Sequence, residues 1–156
     1  MKPLETPPIV DVQFTYMIRN DLKSIMDIEL ASFEYPWTEE DFLSFLRIRM
    51  ATGRVVRRDG GVVAFVMWEQ FDDYIKIANI AVSPQWRRYG IGRMMIDNIV
   101  RMCRDVSIPQ VRMCVRETNL GAQLFAKNCG FLAMSVMPKM YEECDEDGYE
   151  FVHYTL

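Results

Sequence analysis

A glycine-containing turn is the segment of this sequence whose residues best suit binding chemistry. Residues 87–92 read Arg-Arg-Tyr-Gly-Ile-Gly, and a further arginine, Arg93, follows. Gly90 and Gly92 lack Cβ atoms, so the backbone there can turn tightly and approach a ligand closely. A helix that begins at this turn would point N–H groups and a partial positive charge at the ligand. The turn therefore suits a diphosphate, although a strand-to-helix turn with a basic solvated rim explains the same residues.

The sequence does not support other nucleotide-binding motifs or a metal-binding motif. No Gly-Lys-Ser/Thr follows the turn, and its single G-x-G spacing is not a dinucleotide-binding fingerprint. The four cysteines contain no C-x-x-C pair, and the chain has one histidine. We therefore expect free thiols and no metal site.

The length and net charge of the chain restrict its domain organisation and the kinds of partner it can bind. The chain has 156 residues and a net charge of −4, which favours one domain and argues against nucleic acid as the main partner. No apolar run approaches the roughly 20 residues of a membrane span, and no signal core begins the chain, so we expect a cytoplasmic protein without membrane contact. We predict a flexible tail at residues 1–12, a single domain at residues 13–156, and a monomer or homodimer.

The elements that would position the turn alternate between strands and helices. Apolar patterning predicts strands at Val12–Ile18, Arg54–Arg58, Val62–Trp68, Tyr74–Val82, Val111–Val115, Phe131–Met137 and Tyr149–Thr155. Asn20, Thr38 and Asn119 are predicted N-caps of three helices, and a long amphipathic helix follows Gly92. The helix after Thr38 should bury Phe42, Phe45 and Leu46, and Gly130 should end the last helix.

Three segments resemble signatures of the GCN5-related N-acetyltransferases, a superfamily that transfers acetyl from acetyl-CoA to amines. Residues 87–92 are similar to its R/Q-x-x-G-x-G/A motif, and residues 79–84 to the strand that leads into it. Its N-x-x-A…Y-x-x-x-G-F segment resembles Asn119, Ala122, Phe125, Gly130 and Phe131. The resemblance extends from about Phe14 to Leu156, nearly the whole chain. Residues 35–39, 79–82 and 115–119 look most like ribosomal-protein-alanine and other N-terminal acetyltransferases.

The resemblance implies a fold and a cofactor site. The fold is mixed α/β (α+β), with a mixed sheet of about six to seven strands, splayed between the fourth and fifth, and about four helices. The backbone of Ile80, Ala81 and Val82 would pair with the pantetheine arm, and Asn119 would bond to that arm. The diphosphate of acetyl-CoA would lie in the turn, whose residues are Arg87, Arg88, Tyr89, Gly90, Ile91, Gly92 and Arg93.

The catalytic groups are where this sequence departs from the family pattern. Attack of an amine on a thioester requires a proton acceptor and, for some enzymes, an acid for the leaving thiolate. Similar enzymes have a glutamate where this chain has Cys114 and a tyrosine where it has Ala126. Our candidates are Tyr141, which matches a tyrosine lining the peptide entrance, Cys114 and Glu34. Glu117 is another, and water could instead carry the proton from a distant carboxylate.

Three functions fit these observations. The first is acetyl transfer to a protein or peptide N-terminus, for instance that of a ribosomal protein. The second is transfer to a small amine such as a polyamine, an amino acid or an aminoglycoside. Acidic residues would then clamp its ammonium groups, namely Asp72, Asp73, Glu142, Glu143, Asp145 and Glu146. The third is a non-catalytic module that binds acetyl-CoA, motivated by Cys114 and Ala126.

Overall fold

The computed structural model describes residues 11–156, which contain seven strands, four α-helices and two short 3-10 helices. The strands are β1 Gln13–Tyr16, β2 Ala51–Arg58, β3 Gly61–Gln70, β4 Tyr74–Val82, β5 Gln110–Arg116, β6 Leu132–Tyr141 and β7 Glu146–Tyr154. The α-helices are α1 Leu22–Ser32, α2 Glu39–Leu46, α3 Ile91–Asp105 and α4 Leu120–Asn128. The 3-10 helices are Arg19–Asp21 and Pro84–Trp86. All but the last two residues of the predicted tail, residues 1–12, lie outside the described range.

The strands form one mixed sheet in the order β1-β2-β3-β4-β5-β7-β6. The β1–β2, β5–β7 and β6–β7 pairs are antiparallel, whereas β4 and β5 are parallel. The parallel ladder runs from the Tyr74–Gln110 pair to the Ile77–Met113 pair, while β4 continues to Val82. The predicted mixed sheet, split between its fourth and fifth strands, is confirmed.

Two compact units make up the described chain. The first contains the described residues up to Met67 together with Asn79–Met95. Its core joins α1 and α2 to strand residues, and consists of Leu22, Ile25, Ile28, Phe42, Val55, Phe65, Met67 and Ala81. Burial of a large apolar side chain contributes about 1.5–3 kcal/mol, so this cluster contributes substantially to the stability of the first unit.

Local sequence signals fix the ends of the elements in this unit. Thr38 Oγ1 accepts a hydrogen bond from Asp41 N at 3.2 Å, and Asp41 Oδ2 accepts one from Thr38 N at 2.8 Å. Thr38 is therefore the N-cap of α2, as predicted, and its reciprocal pair with Asp41 forms a capping box. Asp59 and Gly60 have φ of +50° and +79°, the backbone that a two-residue hairpin turn between β2 and β3 requires.

Two local predictions in this unit are wrong. Asn20 is not an N-cap, because it lies within the 3-10 helix Arg19–Asp21. The Asp21 carboxylate accepts the Ile18 N–H at 2.8 Å, and α1 begins at Leu22. The helix α2 buries Phe42 but leaves Leu46 36% exposed, because Leu46 is its final residue and lies past the core.

The second unit contains Trp68–Ala78 and Ile96–Leu156. Its strand β5 alternates between two faces: Val111, Met113 and Val115 are buried, whereas the side chains on the other face are only partly buried. Asn119 Oδ1 accepts from Ala122 N at 3.1 Å and caps α4 as predicted. Gly130, with φ of +90°, follows the end of that helix. No helix in residues 11–156 has the length and apolarity to cross a membrane.

Candidate functional site

The glycine turn opens α3, as the sequence predicts. Arg88 and Gly90 have φ of +66° and +79°, so the chain changes direction immediately before the helix. A Cβ on Gly90 would meet nothing within 4 Å, so glycine is needed there for the backbone angle and not for space. The first helical hydrogen bond joins Met94 N to Gly90 O at 3.0 Å. The N–H groups of Ile91 and Gly92 precede that bond and lie at the positive end of the helix, which suits an anion.

Arg87 holds this turn in place. Its Nε donates to Val82 O at 3.0 Å, and its Nη2 donates to Ser32 Oγ at 3.0 Å. The guanidinium therefore ties the turn to the end of β4 and to the end of α1. Arg88 and Arg93 are solvent-exposed beside the helix start. All three predicted cations are therefore exposed, and Arg87 in addition anchors the turn.

A buried carboxylate links three elements of the same unit. Glu29 on α1 is 1% exposed. Its Oε1 accepts from Trp37 N at 2.9 Å, and its Oε2 accepts from Asn79 Nδ2 at 2.8 Å. Burial raises the pKa of Glu29, while these two donors partly oppose the shift. Glu29 therefore joins α1 to the connection before α2 and to β4.

Cys114 lies on the partly buried face of β5 in the second unit. Burial raises the pKa of its thiol, with the positive charge of Lys76 opposing and the negative charge of Glu150 reinforcing the shift. The thiol is therefore protonated at neutral pH and is a weak proton acceptor. Glu150 on β7 is the Cα partner of Cys114 in the antiparallel ladder.

Tyr141, at the end of β6, is held by an arginine of β5. The Arg116 guanidinium carbon lies 3.9 Å from the centroid of the Tyr141 ring, within cation–π distance. Burial, followed by the neighbouring Cys114, raises the pKa of Tyr141 to about 12. The phenol consequently keeps its proton at neutral pH and can donate a hydrogen bond. Arg116 also hydrogen-bonds to the Glu143 carboxylate.

The turn between β6 and β7 is fastened to β5 by further polar contacts. Arg116 Nη1 lies 3.0 Å from Cys144 Sγ and 3.6 Å from Glu146 Oε2. Glu146 Oε1 accepts from Thr118 N at 2.9 Å, and Glu146 also accepts from the Thr118 hydroxyl. The Thr118 donors, with Cys144 and Arg116 adding to them, lower the pKa of Glu146. Glu146 is therefore an ionised structural group.

A glycine makes room for the Tyr141 ring. Gly148 on β7 is the Cα partner of Arg116. A Cβ built on Gly148 would lie 2.8 Å from Met140 Sδ and 3.2 Å from Tyr141 Cε2. Both side chains therefore cover β7 at a position where any larger residue would collide with them.

The structure brings two of the three predicted catalytic residues together. Cys114 and Tyr141 lie in the second unit, close enough for the charge of one to shift the pKa of the other. Glu34 is solvent-exposed in the first unit, in the connection between α1 and α2. Ala126, at the position of the family's tyrosine, is completely buried in α4.

The six acidic residues considered as an ammonium clamp do not form one cluster. Asp72 and Asp73 precede the start of β4, where Tyr74 pairs with Gln110. The other four lie in or beside the β6–β7 turn, near the Arg116–Gly148 pair at the far end of β5. The seven residues of β5 separate the two groups by about 20 Å. This arrangement cannot hold one small polyamine with all six carboxylates.

The fold, the glycine turn before α3 and the sequence comparison all indicate one class of protein. The model of the Acetyltransferase (GNAT) family matches residues 22–131, and the chain belongs to this family of acyltransferases. A Bacillus subtilis (strain 168) protein, provisionally named a ribosomal protein bS18-alanine N-acetyltransferase, is 28% identical over 129 residues, which cover 81% of this chain and 85% of that protein.

Solved structures share the fold. The ribosomal-protein-S18-alanine N-acetyltransferase from Escherichia coli has a TM-score of 0.82 and 21% identity, covering 93% of this chain and 94% of that one. Arabidopsis thaliana NAA60, solved with acetyl-CoA, has a TM-score of 0.78 and 18% identity, covering 92% of this chain and 99% of that one.

Several residues of the site were missed by sequence reasoning. Glu29 carried a signal, because it is a charged residue beside Ile28 on the apolar side of a predicted helix. Glu146 was predicted only as part of an ammonium clamp. No local pattern indicated its contact with Arg116, which joins residues 30 positions apart, and the Cys114–Glu150 pairing depends on strand register.

Proposed function

We propose that this acetyltransferase transfers the acetyl group of acetyl-CoA to the α-amine of a protein N-terminus, with ribosomal proteins as the expected acceptors. The supporting observation is the relatedness to a Bacillus subtilis protein provisionally named as an alanine N-acetyltransferase of ribosomal protein bS18, over most of both chains. The Tyr35–Trp37 connection and Tyr141, which resemble features of N-terminal acetyltransferases, support the same acceptor class.

The first unit supplies the groups that we assign to the cofactor. The diphosphate binds at the α3 turn, where Arg88 and Arg93 add positive charge to the helix end. The pantetheine amides pair with the backbone of Ile80–Val82, and Arg87 keeps Val82 next to the turn through its 3.0 Å hydrogen bond. In the second unit, Asn119 uses Oδ1 to cap α4, so its amide NH₂ group is the part of the side chain that can donate.

The reaction forms an amide C–N bond and breaks the thioester C–S bond. The acceptor ammonium must first lose a proton, because only the neutral amine has a lone pair for attack. Cys114 is unsuited to take that proton, since burial raises the pKa of its thiol. Tyr141 keeps its own proton, and we assign it to hydrogen-bond donation at the acceptor side.

The small-amine alternative has weaker support. Its six acidic residues are divided between the two ends of β5, and Glu143 and Glu146 are engaged by Arg116. These two carboxylates therefore already have a cationic partner, and a polyamine would have to displace it.

The experiment is acetyl transfer to a panel of short peptides that differ in their first residue, followed by mass spectrometry. Peptides with a blocked α-amine are the matched control, and spermidine and an aminoglycoside test the small-amine class. We expect one added acetyl group on the first residue of free peptides, with alanine and other small residues preferred. Acetylation of spermidine without any peptide product would refute the proposed acceptor. Binding of acetyl-CoA with no product from any amine would instead indicate the non-catalytic module.

A further inference from the structure

A carboxylate lies across the sheet from the position where similar enzymes carry their glutamate. Cys114 on β5 and Glu150 on β7 are directly opposed Cα partners in an antiparallel ladder. Side chains of such a pair lie on the same face with Cβ atoms about 5 Å apart. Glu150 therefore occupies the space beside Cys114 from the neighbouring strand, and its charge contributes to the pKa shift of the Cys114 thiol.

The surroundings of Glu150 keep it available for proton transfer. Its side chain is half-buried, so water can reach it. Ser135 Oγ on β6 lies 3.5 Å from Glu150 Oε1, at the outer limit of a hydrogen bond. By contrast, Glu146 accepts strong hydrogen bonds from Thr118, and Glu143 is bound to Arg116.

Several charged and polar residues lie on the same face of the sheet as Glu150 or contact it from the next strand. They are Lys76 on β4, Arg112, Cys114 and Arg116 on β5, and Ser135 on β6. Arg112 donates to Gln110 Oε1 at 2.8 Å and lies over the Tyr74 ring, while Arg116 is bound to Glu143, so both guanidiniums are engaged by other groups.

We propose that the carboxylate of Glu150 is the proton acceptor of the reaction, replacing the glutamate that similar enzymes carry at the position of Cys114. This inference rests on the proposed N-acetyltransferase function. One proton passes from the acceptor ammonium to Glu150, and the neutral amine attacks the thioester carbonyl carbon. The C–S bond then breaks, and the second amine proton leaves with the thiolate as the CoA thiol. Glu150 returns its proton to solvent.

The test compares Glu150→Gln with Glu150→Asp and the wild type, with Asp105→Asn as the control. Glutamine has the same shape as glutamate and keeps the contact with Ser135, but it cannot accept a proton. Aspartate keeps the carboxylate one methylene further back. Asp105 is a solvent-exposed carboxylate at the end of α3, so its neutralisation changes the net charge by the same amount. Thermal melting verifies that each variant is folded.

Kinetics over a range of pH separate a catalytic from a structural role. We expect E150Q to lower kcat by about 100-fold or more, the usual contribution of a general base, with the acetyl-CoA KM within about twofold. The acidic limb of the kcat/KM profile should disappear in E150Q and return in E150D. The double variant C114E/E150Q, which moves the carboxylate across the ladder, should recover activity.

Wild-type kcat and an unchanged acidic limb in folded E150Q would overturn this inference while leaving the proposed acceptor standing. If the wild type acetylates only small amines, the proposed acceptor fails, but the same comparison on those amines still decides the role of Glu150. A wild type that acetylates no amine overturns both.

Discussion

Removal of the buried Glu29 carboxylate should destabilise the first unit strongly. In Glu29→Ala, the Trp37 N–H and the Asn79 amide lose acceptors at 2.9 and 2.8 Å. An unsatisfied buried donor costs about 1–3 kcal/mol, and part of that loss is offset because a charged group no longer has to be buried. We therefore expect a net loss of about 2–4 kcal/mol in the free energy of unfolding. For a chain of this size that is roughly a 5–15 °C decrease in Tm.

The conservative variant Glu29→Gln separates hydrogen bonding from charge. Its carbonyl oxygen still accepts from Trp37 N–H, and the Asn79 amide can rotate to accept from the new NH₂ group. We expect its stability to lie within about 1 kcal/mol of the wild type. Asp27→Ala, which removes an exposed carboxylate from the same helix, should change stability by no more than about 0.5 kcal/mol.

The pH dependence has a defined sign. Because the pKa of Glu29 is raised in the fold, the native state binds this proton more tightly than the unfolded chain does. Stability of the wild type relative to E29Q should therefore be highest below the unfolded pKa of about 4.3 and fall as pH rises through the raised native pKa. Urea denaturation at several pH values measures both effects. Equal midpoints for E29A and the wild type, or a relative stability that rises with pH, would refute this reasoning.

Further substitutions probe the turn and the Tyr141 contacts. Gly90→Ala places a Cβ on a residue with φ of +79°, so we expect the free energy of unfolding to fall by about 1–2 kcal/mol. The KM for acetyl-CoA should rise while the KM for the peptide stays unchanged. The control variant Gly92→Ala, inside α3, should not lower the melting temperature. Arg116→Gln removes the partner of Glu143 and of the Tyr141 ring, and should raise the peptide KM about tenfold. Arg116→Lys should restore the peptide KM only in part, because lysine lacks the planar guanidinium of arginine. Gly148→Ala should lower the free energy of unfolding by about 1–3 kcal/mol and also raise the peptide KM, because Tyr141 must move. If the variant keeps the wild-type peptide KM and Tm, the close approach of Gly148 to Tyr141 is contradicted.

The sequence determined the features that depend on neighbouring residues. The Thr38 N-cap and the strand Tyr74–Val82 each involve residues a few positions apart, and both appear as predicted. The glycine turn before α3 was equally readable, because Gly90 supplies a backbone angle that few other residues adopt. The prediction of Asn20 as an N-cap was wrong because a 3-10 helix begins at Arg19 and the α-helix begins at Leu22, and local preference alone did not distinguish these two starts.

Tertiary structure decided which groups can act together. Glu29 meets Asn79 across 50 positions, and Arg116 meets Glu143 across 27. The partnership of Cys114 and Glu150 depends on strand register, and a shift of one residue would turn Glu150 to the other face of the sheet. Register is set by the burial of the whole β5–β7 pair and not by the residues at the site. For that reason the glycine turn could be predicted from the sequence, whereas the position of the proposed proton acceptor follows only from the register of the folded sheet.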